Sequence, residues 1–165
     1  MRFRLRTLFS LITLFVFSES FAQVGAPFTV DFELHSAGPY TTAMARQDFP
    51  PPVSGSYWYY GMDQGRSEVV DEGGNKVLRV KYPAGCVGPN DTPIGCGMQI
   101  KWPIPETADT MWVSYRLKFE TGFEFVKGGK LPGLCGGKCY TGGITPSQGD
   151  GWSARIMWRP GGAVV

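Results

Sequence analysis

Histidine is nearly missing from this sequence of 165 residues, in which His35 is the only one. A chain with one histidine cannot build a metal site from several imidazole ligands. The spacing of the four cysteines also argues against a zinc site. Nine residues separate the first two and three separate the last two, with glycines between them instead of a compact zinc knuckle. We therefore expect no metal and no cofactor, and any proton transfer would fall to lysine or tyrosine side chains.

Paired carboxylates and amphipathic helices are also lacking. A glycoside hydrolase needs two carboxylates flanking the scissile bond, but no predicted strand carries such a pair on one face, and Glu120 and Glu124 bracket a turn. No segment shows a convincing amphipathic helix, and no internal repeat has the period of a solenoid or propeller. These absences argue against a glycoside hydrolase and against a helical bundle.

The one long apolar run lies at the N-terminus. Basic MRFRLR, apolar TLFSLITLFVF and the small-x-small site Ser20-Phe21-Ala22 predict a secretory signal peptide over residues 1–22. The run is short for a bilayer span, which argues against the alternative of a retained membrane anchor. We expect one secreted, extracellular domain over residues 23–165, with no membrane attachment after cleavage.

Net charge does not indicate a partner. Removing the leader takes away three of the 16 basic residues and one of the 14 acidic residues, which leaves 13 of each. A balanced chain has no overall attraction for nucleic acid, and we expect none as a partner. Recognition of a polyanion would depend on where individual lysine and arginine side chains lie.

Glycine and proline are abundant, with 23 and 13 residues, and 14% of the chain is aromatic. Many turns and many rings are typical of an all-β domain, here an antiparallel β-sandwich. The turn Glu72–Asn75 predicts a hairpin. Alternation of apolar and polar residues predicts strands at Phe28–Leu34, Ser67–Asp71, Val77–Pro83, Gly97–Ile104, Thr110–Phe119 and Trp152–Arg159.

The aromatic cluster Tyr57–Tyr60 has two interpretations. On a surface loop, its rings would stack against the C–H faces of sugar rings. Packed inward, they would cover the sandwich core, which we favour because aromatic side chains supply much of a core's buried area.

The cysteines are expected to pair with their near neighbours. Cys86 and Cys96 bracket the turn-rich VGPNDTPIG, and Cys135 and Cys139 bracket GGK. Four cysteines in a secreted chain indicate disulfides. We therefore predict the bonds Cys86–Cys96 and Cys135–Cys139.

The stretch Phe123–Arg159 concentrates the unusual residues. Its first strand is predicted to end in the turn Lys127–Lys130, where glycines let a ligand approach the backbone, and a glycine-rich polar loop follows. The strand after this loop alternates, and its core-facing residues are predicted to be Trp152, Ala154, Ile156 and Trp158. The opposite face carries Ser153, Arg155, Met157 and Arg159.

Two elements of this stretch, KGGKLPGLCGG and GWSARIMWRPGGA, resemble polysaccharide lyase family 14. The upstream runs VLRVKYPAG and GMQIKWPI are similar to earlier strands of that family, so the likeness covers roughly residues 28 to 165. The resemblance implies a β-sandwich of jelly-roll type. It also implies cleavage of alginate or glucuronan, both uronate polysaccharides, by β-elimination.

The resemblance implies three catalytic residues. Ser153 and Arg155 match the Ser-x-Arg pair of the family, and Lys130 in GGKLPGL matches its lysine, with Lys127 as the alternative register. Without the resemblance, Lys130 would be a solvated loop lysine. The substrate-binding residues are expected to be the basic side chains on the non-core face, namely Lys127, Arg116, Lys118 and Lys101.

The family also has two closely spaced tyrosines downstream of the Ser-x-Arg strand, and these have no counterpart before Val165. We expect the sequence to stop inside a strand and this chain to be weakly active or inactive while still binding polyuronate as a monomer. A carbohydrate-binding module of lectin type is the alternative function, because the same basic, aromatic surface would bind uronates without cutting them.

Overall fold

The computed structural model describes residues 28–52, 57–86, 88, 95–104, 109–140, 144–145, 147 and 149–165. The predicted signal peptide lies outside the described residues. The chain divides into two compact units, an N-terminal unit up to Thr107 and a C-terminal unit from Ala108. None of the described helices is both long and apolar enough to cross a bilayer.

The N-terminal unit contains most of the regular elements. Its strands are β1 (Gly38–Pro39), β2 (Trp58–Tyr60), β3 (Ser67–Asp71), β4 (Lys76–Val80) and β5 (Gln99–Lys101), and its helices are α1 (Thr42–Asp48) and a π-helical turn at Met62–Arg66. The C-terminal unit contains β6 (Gly129–Gly137), β7 (Gly151–Trp158) and a 3₁₀ turn at Pro160–Gly162. The strands pair as β1-β3-β4, β2-β5 and β6-β7.

Every described pairing between these strands is antiparallel. The all-β prediction is confirmed at this level, while the jelly-roll topology stays a prediction. The hairpin of β3 and β4 is confirmed, and Glu72 N donates to Asn75 O at 2.9 Å across its turn. Gly73 and Gly74 both have positive φ there, as a tight hairpin turn requires.

A small apolar core holds the N-terminal unit together. Tyr40, Ala45, Met62 and Val69 are buried at its centre. The Tyr40 hydroxyl donates to Asp48 Oδ2 at 2.7 Å, and the same carboxylate lies 2.8 Å from His35 Nε2. The ring of Tyr40 is therefore buried without leaving its hydroxyl unpaired.

The strand predicted at Phe28–Leu34 is wrong. Asp31 Oδ1 accepts a hydrogen bond from Glu33 N at 3.1 Å, and His35 N donates to Phe32 O at 3.1 Å, which together close a turn. Phe32 itself has a positive φ of 64°. An aspartate that binds its own backbone two residues on competes with strand pairing, and alternation alone does not reveal this.

Other sequence predictions need smaller corrections. The segment Thr110–Phe119 forms no strand, and only Gln99–Lys101 of the predicted Gly97–Ile104 strand pairs. Helix α1 was not predicted because seven residues are too few to show a helical period. Its N-cap is Thr41, whose side chain accepts from Met44 N at 3.3 Å.

Both predicted disulfides are confirmed. The Cα atoms are 5.5 Å apart in Cys86–Cys96 and 5.0 Å apart in Cys135–Cys139. These distances lie within the normal range for a disulfide bond.

The centre of the C-terminal unit is Trp158, the last residue of β7, which is buried. The rings of Phe119 and Phe123 meet it at centroid distances of 5.6 and 5.9 Å, and its indole N–H donates to Lys127 O at 3.1 Å. The prediction of an apolar core along this whole face of β7 is wrong, because the phenylalanine rings cover only its Trp158 end. The three exposed residues of the face are Trp152, Ala154 and Ile156.

The glycine-rich segment predicted as a loop is instead strand β6. Two of its glycines lie where aromatic side chains of β7 pass across the hairpin. A Cβ on Gly129 would overlap the ring of Trp158, and one on Gly136 would come within 2.5 Å of Trp152 Nε1. Glycine is a poor strand former in isolation, but here its missing side chain makes room for the partner strand's rings.

We predict that Gly129→Ala destabilises the C-terminal unit by about 2–3 kcal/mol, because the added methyl group must displace Trp158. Gly122→Ala is the matched control, since Gly122 has a positive φ of 85° but nothing within 4 Å of an added Cβ. Gly122→Ala should lower the free energy of unfolding by about 1 kcal/mol, through backbone strain alone. Urea unfolding followed by circular dichroism measures both, and equal losses would contradict the packing argument.

Candidate functional site

A β-bulge sets the geometry of the β6–β7 hairpin. Gly133 pairs with Arg155 and Cys135 with Ser153, whereas Lys130 pairs with Met157. Between Lys130 and Gly133 the register shifts, so that β6 has one more residue than β7. This irregularity includes Pro132, which fits a bulge because proline has no N–H to donate to the ladder.

The bulge decides on which face Lys130 lies. Side chains alternate along a strand, so a regular ladder continued from Gly133 would set Lys130 opposite Trp158. The additional residue instead sets it opposite Met157, on the same face of the hairpin as Ser153 and Arg155. The three residues that the family resemblance implies as catalytic are therefore brought to one face, although their roles stay predictions.

Two hydrogen bonds orient the Arg155 side chain along this face. Its Nε donates to Ser153 Oγ at 2.8 Å, and its Nη2 donates to the carbonyl oxygen of Tyr140 at 3.2 Å. A Cβ on Gly133 would overlap the carbonyl oxygen of Ala154 and come within 2.8 Å of Arg155 Cγ. Glycine at this position therefore leaves room for the backbone of β7 and for the half-buried arginine.

Lys130 and Arg155 bring two positive charges onto one surface. Partial burial lowers the pKa of the Lys130 ammonium, and the charge of Arg155 lowers it further. Both effects disfavour the charged form of the lysine. The face therefore combines a fixed guanidinium with an amine that releases its proton more readily than usual.

The loop between β6 and β7 supports Arg155 through Tyr140. The Tyr140 hydroxyl donates to Asp150, which also accepts from Ser147 Oγ at 2.9 Å and pairs with Lys138 Nζ at 2.7 Å. The hydrogen bonds from Lys138 and Tyr140 lower the pKa of Asp150. The disulfide at Cys139, next to Tyr140, ties the same loop to β6.

Sequence reasoning missed Tyr140 and Asp150. Tyr140 contacts Arg155 through its backbone carbonyl, an interaction that leaves no trace in the residue type. Asp150 had a weak indication in the sequence, because aspartate next to glycine is typical of turns.

Tyr115 is another residue that was not predicted. Its hydroxyl donates to the carbonyl of Pro132 at 3.1 Å, within the bulge, where the regular ladder no longer pairs the backbone. Burial raises the pKa of Tyr115 and keeps it in the protonated form that donates. The segment that was predicted as a strand thus contacts the bulge through a side chain.

The four expected substrate-binding residues are spread over the molecule. Arg116 and Lys118 are exposed on the segment around Tyr115, and Lys127 precedes β6. Lys101 belongs to the N-terminal unit, where its Nζ lies 4.8 Å from the centroid of the Trp58 ring. Of these four, Lys127 is the nearest in sequence to β6, and its backbone carbonyl binds Trp158.

Among the residues that the structure describes, no group of three or more His, Cys, Asp or Glu side chains is placed to hold a metal ion.

Comparison with known proteins finds one family. The family model described as polysaccharide lyase 14 matches residues 70–165. This match includes both strands of the β6–β7 hairpin and all three residues gathered on its face. No curated protein and no solved structure matches the chain.

The charge contact between Lys130 and Arg155 is open to direct measurement. We predict that Arg155→Ala raises the pKa of Lys130 towards its ordinary value, because it removes a positive neighbour while leaving the burial contribution in place. An NMR titration of the lysine side chains reads this value. Arg116→Ala is the control and should leave it unchanged; a Lys130 pKa that does not respond to Arg155→Ala would refute the contact.

Proposed function

Because this chain belongs to the polysaccharide lyase 14 family, we propose that it cleaves a uronate-containing polysaccharide by β-elimination, with alginate and glucuronan as the substrates to test. The observation that carries this proposal is the bulge, which sets Lys130 on the same face as Ser153 and Arg155. A lysine, a serine and an arginine on one surface suit the chemistry of this reaction.

In β-elimination, a base removes the proton at C5 of a uronate, next to the carboxylate, while the C4 oxygen leaves. The ionised carboxylate makes this proton poorly acidic, so the enzyme must first offset its negative charge. We assign this role to Arg155. Of its five N–H donors, two are used by Ser153 and Tyr140, and the rest of the guanidinium fork is left for a substrate carboxylate.

Ser153 has two roles in this proposal. Its Oγ accepts from Arg155 Nε and so holds the guanidinium in a fixed orientation. Its hydroxyl proton is then left to donate to a sugar or carboxylate oxygen. Orienting the arginine before substrate arrives avoids a reorganisation at the moment of reaction.

Lys130 takes part in proton transfer or in stabilising the leaving oxygen. Its lowered pKa increases the neutral fraction at a given pH, and the neutral amine is the form that accepts a proton. Lys127 is less suited to this role, because it precedes β6 and thus lies outside the ladder that aligns Lys130 with Arg155.

The wider surface completes the proposal. Four basic side chains would attract the polyanion. Three belong to the C-terminal unit, Arg116, Lys118 and Lys127, and Lys101 belongs to the N-terminal unit. The two disulfides fit a protein that acts outside the cell, where such bonds persist. We propose a secreted monomer, with the signal peptide over residues 1–22 and the lyase domain from residue 23.

The unsaturated product of elimination absorbs in the ultraviolet, which gives a direct assay on alginate and glucuronan. We predict that Arg155→Ala lowers kcat by about 10²–10³, as expected for loss of a group that acts on developing charge. Lys118→Ala should lower it far less, since its charge contributes to attraction and not to the barrier.

Arg155→Lys is a second control. It keeps the charge but loses the planar fork, and we expect intermediate activity. Equal losses in Arg155→Ala and Lys118→Ala would refute the role of Arg155, and binding of the polymer without any unsaturated product would favour a carbohydrate-binding module.

A further inference from the structure

The two-stranded sheet of β2 and β5 has one face turned away from the core. In its register Trp58 pairs with Lys101, Tyr59 with Ile100 and Tyr60 with Gln99. The central pair, Tyr59 and Ile100, packs against the buried core of the N-terminal unit. Because side chains alternate along a strand, the other four lie on the opposite side of the sheet, which we name the aromatic face: Trp58, Tyr60, Gln99 and Lys101.

Two rings on this face are open to solvent. Trp58 is 41% exposed and Tyr60 is 37% exposed, although both belong to a strand paired along its length. They are two residues apart on β2, about 6–7 Å along the strand, so they project side by side. Large aromatic side chains exposed together on a regular element indicate a binding surface more than a packing surface.

Each ring is accompanied by a cation. Lys101 Nζ lies 4.8 Å from the ring centroid of Trp58, and Arg66 Cζ lies 6.0 Å from that of Tyr60. Among the ion pairs of the described residues, none involves Lys101. The aromatic face therefore offers apolar rings with positive charge next to them, and the Lys101 charge is not neutralised by a described carboxylate.

We propose that the aromatic face binds a chain of the uronate polysaccharide, as a second binding site distinct from the β6–β7 hairpin. This inference rests on the proposed function for the identity of the polymer. The C–H faces of the sugars would stack on Trp58 and Tyr60, while Lys101 and Arg66 bind the carboxylates. Charge complementarity selects this occupant over a neutral glucan, which would gain nothing from the two cations.

Binding at the aromatic face would raise the local concentration of the polymer around the protein. A polymer held at one site presents its other segments to the rest of the same protein at a high effective concentration. A longer polymer has more segments to present in this way, so the contribution of the aromatic face should grow with the length of the substrate.

Affinity electrophoresis through gels containing alginate tests the proposal. Trp58→Ala and Lys101→Gln should each weaken retention by about threefold to tenfold, since each removes a ring or a cation from the aromatic face. Trp112→Ala is the matched control, because Trp112 is 91% exposed in the C-terminal unit and does not belong to this face. A gel containing a neutral glucan should retain none of the proteins.

Retention of Trp58→Ala and Lys101→Gln equal to that of the wild type would overturn the proposal. So would a wild-type dimer in size-exclusion chromatography that Trp58→Ala converts to a monomer, since the face would then be an interface between copies. If Trp58→Ala fails to fold, Lys101→Gln still tests the proposal, because it removes the cation and leaves both rings in place.

Product formation by the wild type, measured in parallel, separates this proposal from the lyase activity. Loss of retention in the variants supports the aromatic face whether or not the wild type forms unsaturated product, and absence of product would favour the carbohydrate-binding module over the lyase. Product formation by the wild type together with unchanged retention in the variants would support the lyase and overturn the aromatic face.

Discussion

The hairpin at the candidate site depends on glycines of β6 that lie directly against β7. A Cβ on Gly129 would overlap the ring of Trp158, one on Gly136 would meet the ring of Trp152, and one on Gly133 would meet the backbone oxygen of Ala154. In each pair the space that a Cβ would need is already occupied, so the strand can pair at its normal spacing only if glycine stands there. The glycine-rich composition of β6 is thus a steric requirement of its partner strand. The pairing that aligns the residues of the site depends on that fit.

The same hairpin holds like charges together. Lys130 and Arg155 repel each other across one face, and this repulsion adds to the effect of burial in lowering the pKa of Lys130. A negatively charged ligand placed between them would offset it, so the site is best compensated when it is occupied. Tyr140 and Asp150 are held by a hydrogen bond to each other, by the Lys138–Asp150 ion pair and by the adjacent disulfide, and Tyr140 contacts Arg155 without any ligand.

Local patterns were predicted well from the sequence, and features that depend on a distant partner were not. The strand β7, the β3–β4 hairpin and both disulfides depend on neighbouring residues, and all are confirmed, although only Trp158 of the predicted core face of β7 is buried. The glycines of β6 were taken for a loop because nothing within that segment reveals the rings of β7. The aromatic cluster divided along the strand: Tyr59 packs on the core, as we favoured, while Trp58 and Tyr60 are exposed.

The bulge has a consequence for comparing related chains. Because β6 has one more residue than β7 at this point, a related chain that lacks one of the two residues between Lys130 and Gly133 would pair without a bulge, and its lysine would still lie opposite Met157. Such a chain would show a gap in an alignment and keep the site in space. A chain that keeps both residues but pairs them in a regular ladder would instead set the lysine opposite Trp158, on the other face of the hairpin, so the residues between the lysine and the following glycine are as informative as the lysine itself.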